Sequence, residues 1–282
     1  MPQTGSSFDV RSLSFLENRK LAASYGDGTV RIWDLFSKKQ VSSIKAHSEP
    51  ILTSSALDWI YLATSSNRDI LIWDTQSGSL VKKLTGHLDN VNHLIKMQNG
   101  FLLSASADKS IKVWNLNDWS LIGTLEGHLD SVNCLAELNY DSVASGSHDG
   151  EIKIWSVSEW INLRSWKAHT APIVSLVLLP KQKYLASLYQ GQEIKIWDFT
   201  QGTLVKTLIS DQMIYTMVAL RNGDLVSATD KGYIRIWDVE NKSLKNTVFY
   251  GSNVIWCLAL DLKGRLAVGT GNGDIRILNI FN

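Results

Sequence analysis

Three observations predict an all-β protein, a seven-bladed β-propeller of four-stranded antiparallel blades. A tryptophan-ending motif recurs at a fixed period, each period holds four short apolar runs, and the breaks between runs carry turn residues. The motif ends in Trp33-Asp34, Trp73-Asp74, Trp114-Asn115, Trp155-Ser156, Trp197-Asp198 and Trp237-Asp238, at intervals of 40, 41, 41, 42 and 40 residues. A seventh copy, Ile275-Arg276-Ile277-Leu278-Asn279, lies 41 residues after Trp237, with Leu278 in place of tryptophan. No composition shift divides the chain, so residues 1–282 read as one repeat domain.

Repeat three shows the elements most clearly. Val91 to Ile95 is a first apolar run, Phe101 to Ser106 a second, Ser110 to Leu116 a third and Leu121 to Leu125 a fourth. Asn99-Gly100, Asp108-Lys109 and Asn117-Asp118 separate them with turn chemistry. In the other repeats the first runs begin near Val10, Ile51, Val132, Ile173, Ile214 and Val254. Four short strands joined by tight turns make a small antiparallel sheet that cannot bury both faces alone. Radial stacking buries both.

Composition narrows the function. A net charge of +1 gives no basic footprint for nucleic acid, and no apolar run is long enough to span a bilayer. Cys134 and Cys257 are too few for a disulfide framework, which points to a reducing, intracellular compartment, cytoplasmic or nuclear. No histidine pair has metal spacing, and there is no phosphate loop or nucleophile elbow, so neither metal nor cofactor is expected.

Four repeats begin with a small residue and histidine: Ala46-His47, Gly86-His87, Gly127-His128 and Ala168-His169. With the tryptophans in register, the chain resembles the WD-repeat family over essentially its whole length. That resemblance implies a buried hydrogen-bonded tetrad of histidine, strand serine or threonine, turn aspartate and tryptophan. Repeat three fits it with His87, Ser104, Asp108 and Trp114, and repeat four with His128, Ser145, Asp149 and Trp155. Repeat two has Asn67 at the aspartate position, repeat five Gly191, and repeat one Ser6 for the histidine. Repeat six has Ser210 for the histidine, and repeat seven keeps almost none of the set. The serine, histidine and aspartate invite a hydrolase reading, but their recurrence with a tryptophan partner marks them as structural. Basic residues two before the tryptophan, Arg31, Lys112, Lys153, Lys195 and Arg235, are expected to pack their stems between blades with their heads in solvent.

The resemblance also implies which positions point onto the channel rim. Asp9, Arg11, Asn90, Asn92, Asn133, His148, Met213, Tyr215 and Trp256 fall there, and structure alone does not demand these residue types. Met213, Tyr215 and Trp256 lie on neighbouring blades beside Asp9 and Arg11, in a composition that binding hot spots favour. Trp119 and Trp160, 41 residues apart in the turns after the third strands, form a second candidate patch on the opposite face, with capping of the blade edge as the alternative. His93 is expected to face the core. The last blade needs an outer strand. The family resemblance implies Met1 to Thr4 for it, a short segment containing Pro2, so closure is expected to be weak.

These features predict a non-enzymatic scaffold, monomeric or part of a larger complex, that docks a protein or peptide on the channel rim. A substrate-recognition subunit of a ubiquitin ligase is the alternative. A propeller enzyme, with only Asp9 and His148 as channel candidates, or a nucleic-acid binder comes after it.

Overall fold

A computed structural model describes residues 8–16, 19–179, 181, 183–189 and 191–280. The first sheet runs in the order β1 (Val10–Leu16), β2 (Lys20–Tyr25), β3 (Thr29–Asp34) and β4 (Lys39–Lys45). The second holds β5 (Thr53–Ala56), β6 (Tyr61–Ser65), β7 (Ile70–Asp74) and β8 (Leu80–Leu84). The third holds β9 (Val91–Lys96), β10 (Phe101–Ser106), β11 (Ile111–Asn115) and β12 (Leu121–Leu125), close to the four runs read from repeat three. The fourth holds β13 (Val132–Glu137), β14 (Ser142–Ser147), β15 (Glu151–Ser156) and β16 (Ile161–Lys167). All pairings are antiparallel, and together the sheets make an all-β propeller.

The next part departs from seven separate blades. β17 (Ile173–Leu179), β18 (Tyr184–Tyr189), β19 (Gly191–Asp198), β20 (Thr203–Ala219), β21 (Leu225–Thr229), β22 (Tyr233–Asp238) and β23 (Ser243–Phe249) form one seven-stranded sheet. The cause is β20, which stays extended where the other connections turn. Its first half pairs with β19 through Thr203 to Ile209, and its second half pairs with β21 through Ile214 to Ala219. The last sheet holds β24 (Ile255–Leu260), β25 (Arg265–Thr270) and β26 (Ile275–Asn279), three strands among the described residues. Met1 to Thr4 and Ser6 lie outside the described residues.

The core lies between sheets. Ile44 of β4 clusters with Trp73 of the second sheet, and Leu84 of β8 with Trp114 of the third. Trp73 and Trp114 are therefore buried beneath the outer strand of the sheet before them. The first strands pack in succession: β1 on β5, β5 on β9, β9 on β13, β13 on β17, β17 on β20, β20 on β24, and β24 back on β1. At that last contact the Cys257 thiol donates to the Val10 carbonyl at 3.5 Å. The weak closure expected from the sequence concerns the outer strand of the last blade, whose residues lie outside those described.

Candidate functional site

The two complete tetrads form as expected. Asp149 accepts from His128 Nδ1 at 3.0 Å, His128 Nε2 lies 2.7 Å from Ser145 Oγ, and that oxygen accepts from the Trp155 indole at 2.8 Å. Repeat three repeats the set, with 2.7 Å from His87 to Asp108, 2.7 Å to Ser104 and 2.9 Å from Trp114 to Ser104. Burial lowers the His128 pKa, against the pull of Asp149. Burial alone would raise Asp149, but the N–H groups of Glu151 and Leu129 and the His128 ring hold it below the usual carboxylate range. Ser104 and Ser145 are fully buried beneath their tryptophans, so no substrate carbonyl reaches either hydroxyl.

The other repeats keep parts of the network. His47 and Trp73 share Thr64, and His169 and Trp197 share Ser187. In repeat one Ala23 occupies the serine register opposite Arg31, and the Trp33 indole makes no regular hydrogen bond among the described residues. In repeat six Arg235 reaches into the histidine space. It donates to Ser210 and pairs with Asp211, so its head is buried rather than solvated. This corrects the expectation of solvated heads across the basic positions.

The channel mouth has one physical origin. In nearly every sheet the first strand shifts register against the second, as between Val10 and Ser12, Val132 and Cys134, Ile214 and Thr216, and Ile255 and Cys257. The skipped residue is a β-bulge, which re-aims its side chain out of the ladder. The bulge residues are Arg11, Asn92, Asn133, Val174, Tyr215 and Trp256, and all line a channel cavity of about 320 Å³.

These residues are used differently. Asn92 Nδ2 donates to Ser131 Oγ at 2.9 Å and to the Val132 carbonyl at 3.0 Å, and Asn133 Nδ2 donates to the Ile173 carbonyl at 2.9 Å. Both amides clasp the neighbouring first strand. Arg11, Tyr215 and Trp256 instead meet as a cluster. The Arg11 guanidinium lies 5.7 Å from the Trp256 ring centroid, and Tyr215 meets Trp256 edge-on at 5.0 Å. Gly271 leaves room for that indole, because a Cβ there would come within 2.9 Å of Trp256 Nε1.

Asp9 corrects the sequence expectation. Its side chain is fully buried and pairs with Arg11 at 2.7 Å, so it anchors the cluster from below. Burial raises its pKa, with Arg11 opposing. Met213 is half-buried beside Tyr215 in β20. Asn90 and His148 are exposed on the third and fourth sheets, apart from the cluster. His93 lines the channel rather than the core. Its Nδ1 accepts from the Leu135 N–H at 3.2 Å, and burial pushes its pKa down to about 4.

Trp119 and Trp160 occupy equivalent turns of adjacent sheets. Both have positive φ, 64° and 60°, at a turn position held elsewhere by Lys38, Gly78, Gly202 and Lys242. That conformation is uncommon for bulky side chains. Trp119 packs edge-on against Tyr61 of the second sheet at 5.9 Å, and Trp160 lies over Gly123 of the third. Each covers the edge of the preceding sheet. The bulges and clasps have no residue signature of their own in the sequence, whereas Ala23 was visible as an apolar residue in a polar register.

Comparison with known proteins adds the family. The family model described as WD domain, G-beta repeat, matches residues 2–34, 78–115, 119–156 and 160–198, just over half of the chain. The chain is 32% identical over 91 residues to the COMPASS component SWD3 of Saccharomyces cerevisiae, covering 31% of this chain and 29% of that protein. It is 30% identical over 82 residues to the protein Notchless of Drosophila melanogaster, covering 28% and 16%. It is 31% identical over 98 residues to a WD repeat-containing protein 55 homolog of Dictyostelium discoideum, covering 34% and 24%. The chain thus spans less than a third of the length of these curated relatives.

Proposed function

The chain belongs to the WD-repeat family, and from that premise we propose that it is a non-enzymatic scaffold that docks a protein or peptide at the channel mouth. The observation that carries the reading is the Arg11–Trp256–Tyr215 cluster, three bulge residues from three first strands that meet at the channel mouth. Arginine, tryptophan and tyrosine are the residues that dominate binding energy in protein interfaces. Asp9 neutralises Arg11 beneath the surface, which favours an uncharged or aromatic-rich peptide over a phosphorylated one. That weighs against a phosphodegron-reading ubiquitin-ligase subunit. Likeness to a protein named as a COMPASS component supports a role as one subunit of a larger assembly. Two buried free thiols, Cys134 and Cys257, fit an intracellular setting.

We further read the propeller as a single seven-bladed unit. Support comes from the two registers of β20, which make the seven-stranded sheet equivalent to two joined blades, and from the succession of packed first strands. The functional reading is tested by affinity capture from cell extract with the wild-type chain beside Tyr215→Ala/Trp256→Ala, both checked for folding. Partners lost only from the folded double variant fit the proposal. Partners retained at wild-type level by both sink it.

A further inference from the structure

On the wall of the channel across β9 and β13, the protein's own bonds fix where the protons lie. The Leu135 N–H donates to His93 Nδ1 at 3.2 Å, so that nitrogen carries no proton. Burial keeps the ring neutral at neutral pH, with its pKa pushed down to about 4. The ring proton therefore sits on Nε2. Nε2 has no hydrogen-bond partner among the described residues, and His93 lines the cavity of about 320 Å³. Beside it, Asn92 donates one amide hydrogen to the Val132 carbonyl at 3.0 Å and the other to Ser131 Oγ at 2.9 Å. The carbonyl settles which end of that side chain is nitrogen, because an oxygen there would face another oxygen. Asn92 Oδ1 is left as an acceptor without a partner among the described residues. Ser131 in turn donates to Asn133 Oδ1 at 3.1 Å, and Asn133 gives one amide hydrogen to the Ile173 carbonyl. Its second amide hydrogen is unspent.

This wall offers two donors, His93 Nε2–H and one Asn133 N–H, and one acceptor, Asn92 Oδ1. All three residues line the same cavity. A primary carboxamide complements the set, since its oxygen has two lone pairs and its nitrogen two hydrogens. A carboxylate would set an oxygen against Asn92 Oδ1. An ammonium or guanidinium group brings only donors, and would set them against His93 Nε2–H. Charge argues the same way. Arg11 is the one charged side chain lining the cavity among the described residues, and Asp9 already neutralises it. An ion entering the channel would lose water and find no free counter-charge. We propose that Asn92, His93 and Asn133 form a carboxamide subsite, which takes a glutamine or asparagine side chain of the peptide docked at the mouth. The proposal rests on the channel-mouth reading and adds the residue class that enters beneath it. The clasps between first strands then have a second use, because they fix which way the wall presents its donors and its acceptor.

The test is a nuclear magnetic resonance titration of the full chain, isotope-labelled at histidine, with small probes: the Nα-acetyl methylamides of glutamine, glutamate and lysine. The glutamine probe should bind saturably, with a dissociation constant on the order of 1 mM, and should move the His93 side-chain resonance. The glutamate and lysine probes should bind at least about tenfold more weakly. His93→Phe removes the donor, and the folded variant should bind the glutamine probe weaker by a similar factor. Should that variant fail to fold, the three probes on the wild-type chain decide alone. The proposal is overturned by no saturable binding of the glutamine probe, by glutamate or lysine binding as well as glutamine, or by saturation that leaves His93 unmoved. Undiminished binding by folded His93→Phe also overturns it. The titration needs no partner, whereas capture by Tyr215→Ala/Trp256→Ala judges the mouth, so failure of one is told apart from failure of the other.

Discussion

Ser145→Ala tests the tetrad as a source of stability. Ser145 Oγ accepts the Trp155 indole N–H at 2.8 Å and lies 2.7 Å from His128 Nε2. Both partners are buried, Trp155 at 2% and His128 at 5% exposure, so water does not replace the lost oxygen. Each buried polar group left without a partner costs about 1–3 kcal/mol. Two such groups give roughly 2–6 kcal/mol, or a fall in Tm of about 3–10 °C for a chain of this size. Ser24→Ala is the control. Ser24 is equally buried, but its hydroxyl has no partner among the described residues, so its loss should not destabilise and should raise stability by up to about 1–3 kcal/mol. Thermal unfolding followed by circular dichroism, with urea titrations to check that the m-value is unchanged, reads both variants. A Ser145→Ala/Trp155→Phe double variant should cost less than the sum of its parts, because the two changes remove one shared bond. Equal Tm shifts for Ser145→Ala and Ser24→Ala would refute the assignment of stability to the network.

Other outcomes follow from the same geometry. His93 titrates near 4 in the fold and near 6.5 when unfolded, so the unfolded chain binds more protons between those values; stability is full above about pH 6.5 and falls as pH drops through the window, by about 2 kcal/mol at pH 5 from His93 alone. Urea titrations at pH 7 and pH 5 should show a smaller loss in His93→Gln than in wild type. Asp9→Asn should destabilise by about 3–5 kcal/mol, because Arg11 loses its buried counter-charge, and should displace Trp256, read as a change in tryptophan near-ultraviolet dichroism. Gly123→Ala should push the Trp160 ring off the third sheet, since a Cβ there meets ring carbons at 2.2–2.6 Å. Faster quenching of tryptophan fluorescence by acrylamide, with a stability loss of about 1–3 kcal/mol, is the expected signature.

What could be read from the chain divides along a physical line. The period of the tryptophans fixes the strand plan, because a sheet must repeat its apolar face to stack, and repeat three came out of the sequence nearly strand for strand. The complete tetrads were legible through the family resemblance, because all members lie within one repeat at fixed offsets. Cross-sheet relations were not. Asn92 and Asn133 are spent on the neighbouring first strand, and Asp9 is turned inward beneath Arg11, which depends on the spacing between sheets rather than on residue type. The Arg11–Trp256–Tyr215 cluster was legible as a neighbourhood, but the bulge that gathers it has no residue signature. The buried arginine of repeat six shows the opposite case, in which the pattern reads as degraded while a different side chain occupies the space.

β20 carries a mechanical consequence. Its backbone is paired to β19 on one side and to β21 on the other without a loop between the two halves. Elsewhere a non-strand connection joins one sheet to the next. Here tension on either half is transmitted along a continuous strand, so the two sets of strands should open as one cooperative unit in native-state hydrogen exchange. Under force, this stretch of the ring should yield in a single large step where its neighbours yield in smaller ones.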